Sequence, residues 1–587
     1  MVTDNFRPQT KRQMLELMRS ELDNERQSWI NHWRDLSDYV LPRRGRFQIT
    51  DQNRGERRSQ KIIDTTASLA ARTLRSGMMS GITSPARPWF RLTVPDANLS
   101  EIMEVKDWLH EVTTRMNAAF LRCNLYNTLP VVYGDLGNFG TSPMLVEEEF
   151  TGKVIRTTVF PIGSYMIGAD EYGTVNVFVR EYRMTVRQIV NRFGYEESGI
   201  PGVGEPDWTK FSETVKRLWL NGQREQWIDV IHVIYPNDKF NPRRMESKYK
   251  KFSSDYYERG CSGQASPYLS AGVDDDRYLR ESGHDLFPVL CPRWEVAAGD
   301  TYASNCPGMT ALGDIRQLQL GEKRVMQAVE KTINPPMVGP HALRATRVSI
   351  LPGDVTFLDE PDGSKGFRPA HETRFPINDM EMKQGQVRHR ISRAYYEDLF
   401  LMLAESDRRE ITAREVDERH EEKLQALGPV LEGMNQDLLD PLIDITFYFM
   451  NRQGLIPPPP EEIQGMDLRV EYVSVMAQAQ KLVGIAGIER FAGFVQGVAA
   501  IDPQILDKVD RDQLVDEYGE RTGIPPRIIV PDEEVAAIRA QRQQQQEQMV
   551  QAEQLKAGAK AAKDLSGAEM EKDSALTRLL QTAQAGA

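Results

Sequence analysis

The chain has 587 residues and a formal net charge of −12, with 40% hydrophobic and 27% charged residues. This mixture is ordinary for globular protein, and the length predicts about two to four domains. The acidic balance argues against tight wrapping of DNA on a basic surface, although a pore through which DNA slides remains compatible with it.

Neither a membrane span nor a secretory leader is predicted. The chain has no apolar run of about 18 residues, and its start lacks the apolar core of a signal peptide. The cysteines at positions 123, 261, 291 and 306 form no CxxC pair and have no histidine at metal-ligand spacing. We therefore expect small, buried, reduced thiols in a protein made in the cytoplasm.

Helical patterns open the chain and a β-rich part follows. Apolar spacing predicts helices over residues 14–40, 62–82 and 101–121. Glycines between Gly134 and Pro143 predict a turn-rich connection with some helix, and short alternating runs from Ser142 to Thr185 predict strands. TVRQIVNRFG predicts a short helix ending at Gly194.

Two further strands are predicted in WIDVIHVIYP and FPVLCPRWEV, whereas the polar residues 250–280 between them predict a weakly ordered stretch. Asp274, Asp275 and Asp276 are candidate ligands for a divalent ion within this stretch. Because they lack the glycine-anchored spacing of an EF-hand, a solvated loop is the favoured interpretation.

Two long helices with a small insert between them are predicted next. Gly308–Ile333 would span about 40 Å as a helix, and the prolines of NPP at 334–336 stop it. Turn signals fill the insert up to Phe375, and Ile377–Leu403 predicts the second helix.

A long amphipathic pattern then runs from Arg409 to Phe449. Pro429 and Pro441 within it each remove a backbone donor and are expected to bend or break the helix. After a stiff PPPP linker and the strand in DLRVEYVSVMA, helical patterns resume from Gln478. For the low-complexity run QRQQQQEQ at 541–548, both a solvated helix and disorder stay open.

No catalytic, cofactor or metal site is predicted, because the P-loop, GxSxG and HExxH patterns are absent. HEEKL at 420–424 lacks the second histidine of a zinc site. The acidic residues around it, from Asp417 to Glu422, are better interpreted as helix-surface charge paired with neighbouring Arg and Lys.

Several segments together resemble the portal, or head-to-tail connector, proteins of short-tailed bacteriophages. They are SGMMSGITSPARPWFRL (76–92), PGMTALGDIRQLQ (307–319), NPPMV (334–338), TAREVDERHEEKLQALGPVL (412–431) and EYVSVMAQAQK (471–481). They occur in the family's order, and the resemblance covers about residues 10–500.

The resemblance implies an α+β, predominantly α-helical portal-type fold that assembles as a ring, usually of twelve subunits. Its expected parts are a wing (1–306), a first stem helix (307–336), a clip (337–375), a second stem helix (376–403), a tunnel loop (404–410), a long bent helix with a returning wing strand (411–476), and a crown with a low-complexity tail (477–587). The ring would sit at the capsid portal vertex of the virion and pass double-stranded DNA during packaging and ejection.

The resemblance also implies the partners: terminase, the major capsid and scaffolding proteins, tail adaptor or nozzle proteins and internal core proteins. No membrane insertion is expected. In the expected tunnel loop, Arg408 and Arg409 suit phosphate, while Glu405 and Asp407 would temper the grip.

The second stem helix adds Lys383, Arg390 and Arg393 as candidates for the channel wall. Lys383, Arg390 and Arg393 lie nearer one helix face, and Arg388 points elsewhere. The alternative for these cations is ion pairing between subunits.

Two other functions stay open. One is a capsid or tail adaptor scaffold without a DNA channel. The other is a metal-dependent nuclease that uses Asp274–Asp276 or the acidic helix.

Overall fold

The computed structural model describes residues 10–48, 58–96, 99, 102–195, 204–259, 277–333, 335, 337–338, 368–369, 377–406, 427–473, 485–499, 508–510, 512–515, 518, 530 and 532–566. The chain divides into two compact units, Met1–Gln480 and Lys481–Ala587. Helices and antiparallel sheets are mixed in the first unit, which confirms the α+β class.

The helices of the first unit confirm most of the predicted ones. They are α1 (Lys11–Tyr39), α2 (Thr66–Ile82), α3 (Met103–Arg122), α4 (Leu125–Phe139), α5 (Val186–Phe193), α6 (Glu213–Leu220), α7 (Pro307–Ile333), α8 (Ile377–Ala394), α9 (Glu397–Ser406) and α10 (Asp440–Arg452). Local chemistry starts several of them: at α5, for example, Thr185 and Gln188 form a reciprocal capping box.

Helix α4 corrects the predicted turn-rich connection, because the chain stays helical through Gly134 and Gly137. A Cβ at Gly137 would lie 2.5 Å from Leu74 of α2, and one at Gly134 would lie 3.3 Å from Arg75. These glycines therefore allow two helices to approach closely instead of marking a turn. The helix ends at Gly140, whose φ of 79° suits a left-handed cap.

The strands of the described residues form two larger sheets and two strand pairs. The bounds are β1 (Phe90–Thr93), β2 (Met144–Glu148), β3 (Ile155–Val159), β4 (Tyr165–Ala169), β5 (Val175–Thr185), β6 (Trp227–Pro236), β7 (Phe252–Glu258), β8 (Arg280–His284), β9 (Val289–Leu290), β10 (Met337–Val338), β11 (Arg368–Pro369) and β12 (Arg469–Tyr472). A five-stranded antiparallel sheet has the order β4-β5-β6-β7-β8, and a three-stranded sheet has the order β3-β2-β9. The pair β10–β11 joins the two ends of the predicted insert, and β1 pairs with β12.

Strand β7 corrects the predicted weakly ordered stretch, because it lies inside the sheet between β6 and β8. Ser254 and Asp255, two of its buried polar residues, have partners on other elements. The Oγ of Ser254 lies 2.9 Å from Nε2 of His232, and Asp255 forms an ion pair of 2.9 Å with Lys11. Such specific partners let polar side chains lie in a core. Asp274–Asp276 lie outside the described residues.

The predicted helix Ile377–Leu403 is wrong in one respect, since it consists of two helices. Helix α8 ends at Ala394 and α9 begins at Glu397. Between them Tyr396 has a φ of 54°, a left-handed conformation that ordinary helices do not contain. Because α9 continues to Ser406, the first three residues of the predicted tunnel loop are helical.

Pro441 does not break the predicted long helix. Residues 427–434 are helical, a π turn follows over Asn435–Leu439, and α10 continues with the proline in its first turn. The wider π turn replaces the α-helical turn in which the proline ring would clash with the carbonyl of residue 437. Residues 411–426 lie outside the described part of the chain, so the start of that helix stays a prediction.

One large hydrophobic cluster joins α2, α3, α4, α8, α9 and α10. A second cluster contains Trp33 of α1 and the sheet residue Phe178.

The second unit contains α11 (Ile485–Ala499) and α12 (Asp532–Ser566). The glutamine-rich run lies in α12, where its backbone is helical and its side chains are exposed.

Among the described cysteines, Cys123, Cys291 and Cys306 are free thiols, and Cys261 lies outside this set. No described helix combines the length and apolar character needed to cross a membrane.

Candidate DNA-channel site

Helices α7 and α8 run antiparallel and carry the cationic candidates. Gly321 of α7 faces Gln384 of α8, and Asp314, earlier in α7, pairs with Arg390, later in α8. The two helices therefore run in opposite directions. Up to Gln319, α7 buries one face in the body, whereas Leu320, Met326 and Ile333 beyond it are more than half exposed. The far half of α7 is therefore held mainly by its neighbouring helix.

Arg390 is paired within its own chain. Its Nε lies 3.1 Å from one carboxylate oxygen of Asp314, and an NH2 nitrogen lies 2.6 Å from the other. These hydrogen bonds raise the pKa of Arg390, so its charge is permanent. Part of that charge is neutralised locally, which makes Arg390 a weaker candidate for phosphate than an unpaired cation.

Lys383 and Arg393 are exposed on α8, and neither forms an ion pair with any residue that the structure describes. Both cations therefore present their charge to solvent and not to a described carboxylate. Lys383 lies seven residues before Arg390, on the same helix face as predicted.

Arg388 anchors α8 to the body through partners that no sequence pattern indicates. Its Nε donates to Asp64 over 2.9 Å and its NH2 group to Glu322 over 2.5 Å. Gln319 of α7 accepts from the backbone nitrogens of residues 63 and 64 at 2.6 and 2.9 Å. Burial alone would raise the pKa of Asp64, but hydrogen bonds from Thr66 and Arg388 lower it. This network fixes the position of the α7–α8 pair relative to residues 63–64, which precede α2.

Helix α9 leads from α8 toward the predicted tunnel loop and is firmly seated at its start. The hydroxyl of Tyr395 lies 2.9 Å from the side-chain oxygen of Asn138. Phe400 fills a notch over Gly77 of α2, where an added Cβ would lie 2.1 Å from the ring. Glu405 belongs to α9. Asp407, Arg408 and Arg409 lie outside the described residues, and their role stays a prediction.

Metal chemistry finds no support in the described part of the chain, where no three His, Cys, Asp or Glu side chains gather as metal ligands. The acidic helix segment 417–422 lies outside that part, as does Asp274–Asp276.

Comparisons with known proteins identify the family. A model of the bacteriophage head to tail connecting protein family matches residues 12–530. The portal protein of Salmonella phage epsilon15 is 44% identical over 577 residues, which cover 98% of this chain and 99% of that protein. A probable portal protein of Bordetella phage BPP-1 is 42% identical over 569 residues, 97% of this chain and 98% of that protein. The chain belongs to the bacteriophage head-to-tail connecting protein family, and the resemblance predicted from its motifs is confirmed.

Proposed function

We propose that this chain is the portal subunit of a phage head, assembled as a ring at one capsid vertex. The near-complete alignment with portal proteins carries this proposal. Copies arranged in a ring would form the channel through which double-stranded DNA is packaged and ejected. The ring would dock terminase first and tail proteins later, which is a structural and not a catalytic role.

Within this proposal, α7 and α8 are the stem and residues 337–375 the clip. The exposed, unpaired Lys383 and Arg393 support a channel-facing side for α8. We further propose that Arg408 and Arg409 reach passing DNA from the loop after α9. Because the chain is acidic overall, these few cations would guide phosphates without holding them.

Negative-stain electron microscopy of the purified chain tests the ring. Closed rings with a central hole wide enough for a duplex are expected. A hole too narrow for a duplex would favour an adaptor scaffold without a channel, and a chain that stays monomeric in every buffer would contradict both functions.

The loop role needs a second experiment in assembled particles. Arg408→Glu with Arg409→Glu should leave rings intact and reduce packaged DNA. Normal DNA content in particles that contain this variant would refute the role of the loop.

A further inference from the structure

A basic loop stands out on this acidic chain. The basic loop, defined as residues 237–251 between β6 and β7, carries six Lys and Arg against two carboxylates, whereas the whole chain has a net charge of −12. Its cations are Lys239, Arg243, Arg244, Lys248, Lys250 and Lys251. Such a local reversal of charge marks a surface suited to an acidic partner.

The basic loop is internally braced. The Asn237 side chain donates to the carbonyls of Lys248 and Lys250 over 2.9 and 2.7 Å. The backbone nitrogen of Asn241 donates to the carbonyl of Tyr249 over 2.9 Å. At Gly283 of β8 the loop carbonyl of Ser247 approaches to 2.2 Å from where a Cβ would stand. A loop held in this way loses little conformational entropy when it binds.

Part of the basic loop is left without a partner. Lys250 pairs with Asp285 and Lys248 with Glu246. Lys239 and Arg243 form no ion pair with the residues that the structure describes. Met245 is 97% exposed and Phe240 is 50% exposed. Cations beside exposed large apolar side chains are typical of a protein-binding surface.

The same unit carries a complementary surface. The acidic loop, defined as residues 461–467, exposes Glu461, Glu462 and Asp467 beside Met466. None of the three carboxylates has an ion-pair partner among the described side chains. Ile463 anchors this loop in the main hydrophobic cluster, so its backbone is also well supported.

We propose that the basic loop of one copy of this chain docks on the acidic loop of a second copy. The two loops share no hydrogen bond or ion pair among the described residues. A contact between two different patches of identical chains repeats from copy to copy and closes into a ring when the rotation permits. The inference rests on the proposed ring and names one of its subunit contacts.

A second copy explains the basic loop better than a duplex does. Phosphates would satisfy Lys239 and Arg243, but they would leave Met245 and Phe240 in water. The acidic loop offers carboxylates and the exposed Met466 together.

A charge-swap experiment on the full chain tests the contact. Arg243→Glu with Arg244→Glu should raise the protein concentration needed for half-assembly by about tenfold or more, as should Glu461→Lys with Glu462→Lys. The chain that carries all four changes restores opposite charges and should assemble almost as the wild type does. The matched control, Arg187→Glu with Arg224→Glu, makes the same charge change at the opposite end of the five-stranded sheet and should assemble normally.

The fraction of chains in rings is measured by sedimentation at several salt concentrations. The exposure of Met245 is measured by its rate of oxidation with peroxide. In wild-type rings we expect Met245 to oxidise several-fold more slowly than in dissociated chains. Undiminished assembly of the Arg243→Glu, Arg244→Glu chain would overturn the contact while leaving the ring intact. Unchanged assembly combined with weaker duplex binding would assign the loop to nucleic acid and also overturn it. A wild-type chain without rings would overturn the proposed function itself.

Discussion

Replacing Gly77 by alanine should loosen the seat of α9. An added Cβ at this position would lie 2.1 Å from Cδ1 of Phe400 and 2.5 Å from its Cβ. Because the Phe400 Cβ is itself too close, rotating the ring cannot relieve the clash, and α9 must shift. Overpacking of this kind costs about 1 to 3 kcal/mol, against about 1 kcal/mol gained from the better helix propensity of alanine. We therefore expect a net loss of about 1 kcal/mol in the free energy of unfolding.

Urea unfolding of the unassembled chain, followed by tryptophan fluorescence, measures this loss. The control is Gly313→Ala in α7, where an added Cβ meets nothing within 4 Å, so propensity alone should stabilise the chain by up to about 1 kcal/mol. Both variants should keep the wild-type dependence on urea, which shows that the denatured state is unchanged. If Gly77→Ala proves as stable as Gly313→Ala, the close packing of α9 against α2 has no energetic weight and the reasoning is wrong.

Lys383→Glu with Arg393→Glu should leave rings intact but lower the DNA content of particles, and full DNA content would remove both residues from the channel wall. Burial, with Arg180 nearby, lowers the pKa of His232, so the unfolded chain takes up a proton that the folded chain excludes. Stability should therefore fall as pH drops below about 6.5, by up to about 1.4 kcal/mol per pH unit, and His232→Gln should flatten that slope in urea midpoints measured from pH 7.5 to 5. Tyr396→Val should unfold about 1 kcal/mol more easily than Tyr396→Asn in the same assay, because asparagine tolerates a positive φ and a β-branched residue does not; equal stabilities would contradict strain at this position.

Elements with a regular apolar period were predictable from the sequence. Helix α7 was predicted within one residue of its observed bounds, and Thr185 with Gln188 explains why the helix ending at Gly194 begins where it does. In these places local propensity and burial point to the same structure.

The missed elements are those whose partners are distant in sequence. Strand β7 was predicted to be weakly ordered, because Ser254 and Asp255 find their partners in His232 and Lys11, which no local pattern shows. The break at Tyr396 was missed for the same reason, since the residue has no glycine-like signal and is held by surrounding packing.

The resemblance pointed to the cations of α8 as candidates for the channel wall, and their role stays a prediction. A helical period cannot say which of them find a carboxylate elsewhere. The pairs Arg390–Asp314 and Arg388–Asp64 depend on how α7, α8 and the chain before α2 meet. Only the structure shows that Lys383 and Arg393 form no ion pair with the described residues.

The pairing of β1 with β12 has a consequence for synthesis on the ribosome. Arg91 of β1 bonds to Glu471 of β12, 380 residues further along the chain. At about 5 to 20 residues per second, β1 waits roughly 20 to 75 s before its partner is translated. During that time Trp89 and Phe90, which are fully buried in the finished fold, have no strand to cover them. A nascent chain stalled or truncated before β12 would therefore expose the unpaired hydrogen-bonding edge of β1. We expect a chaperone to bind this segment until β12 is made.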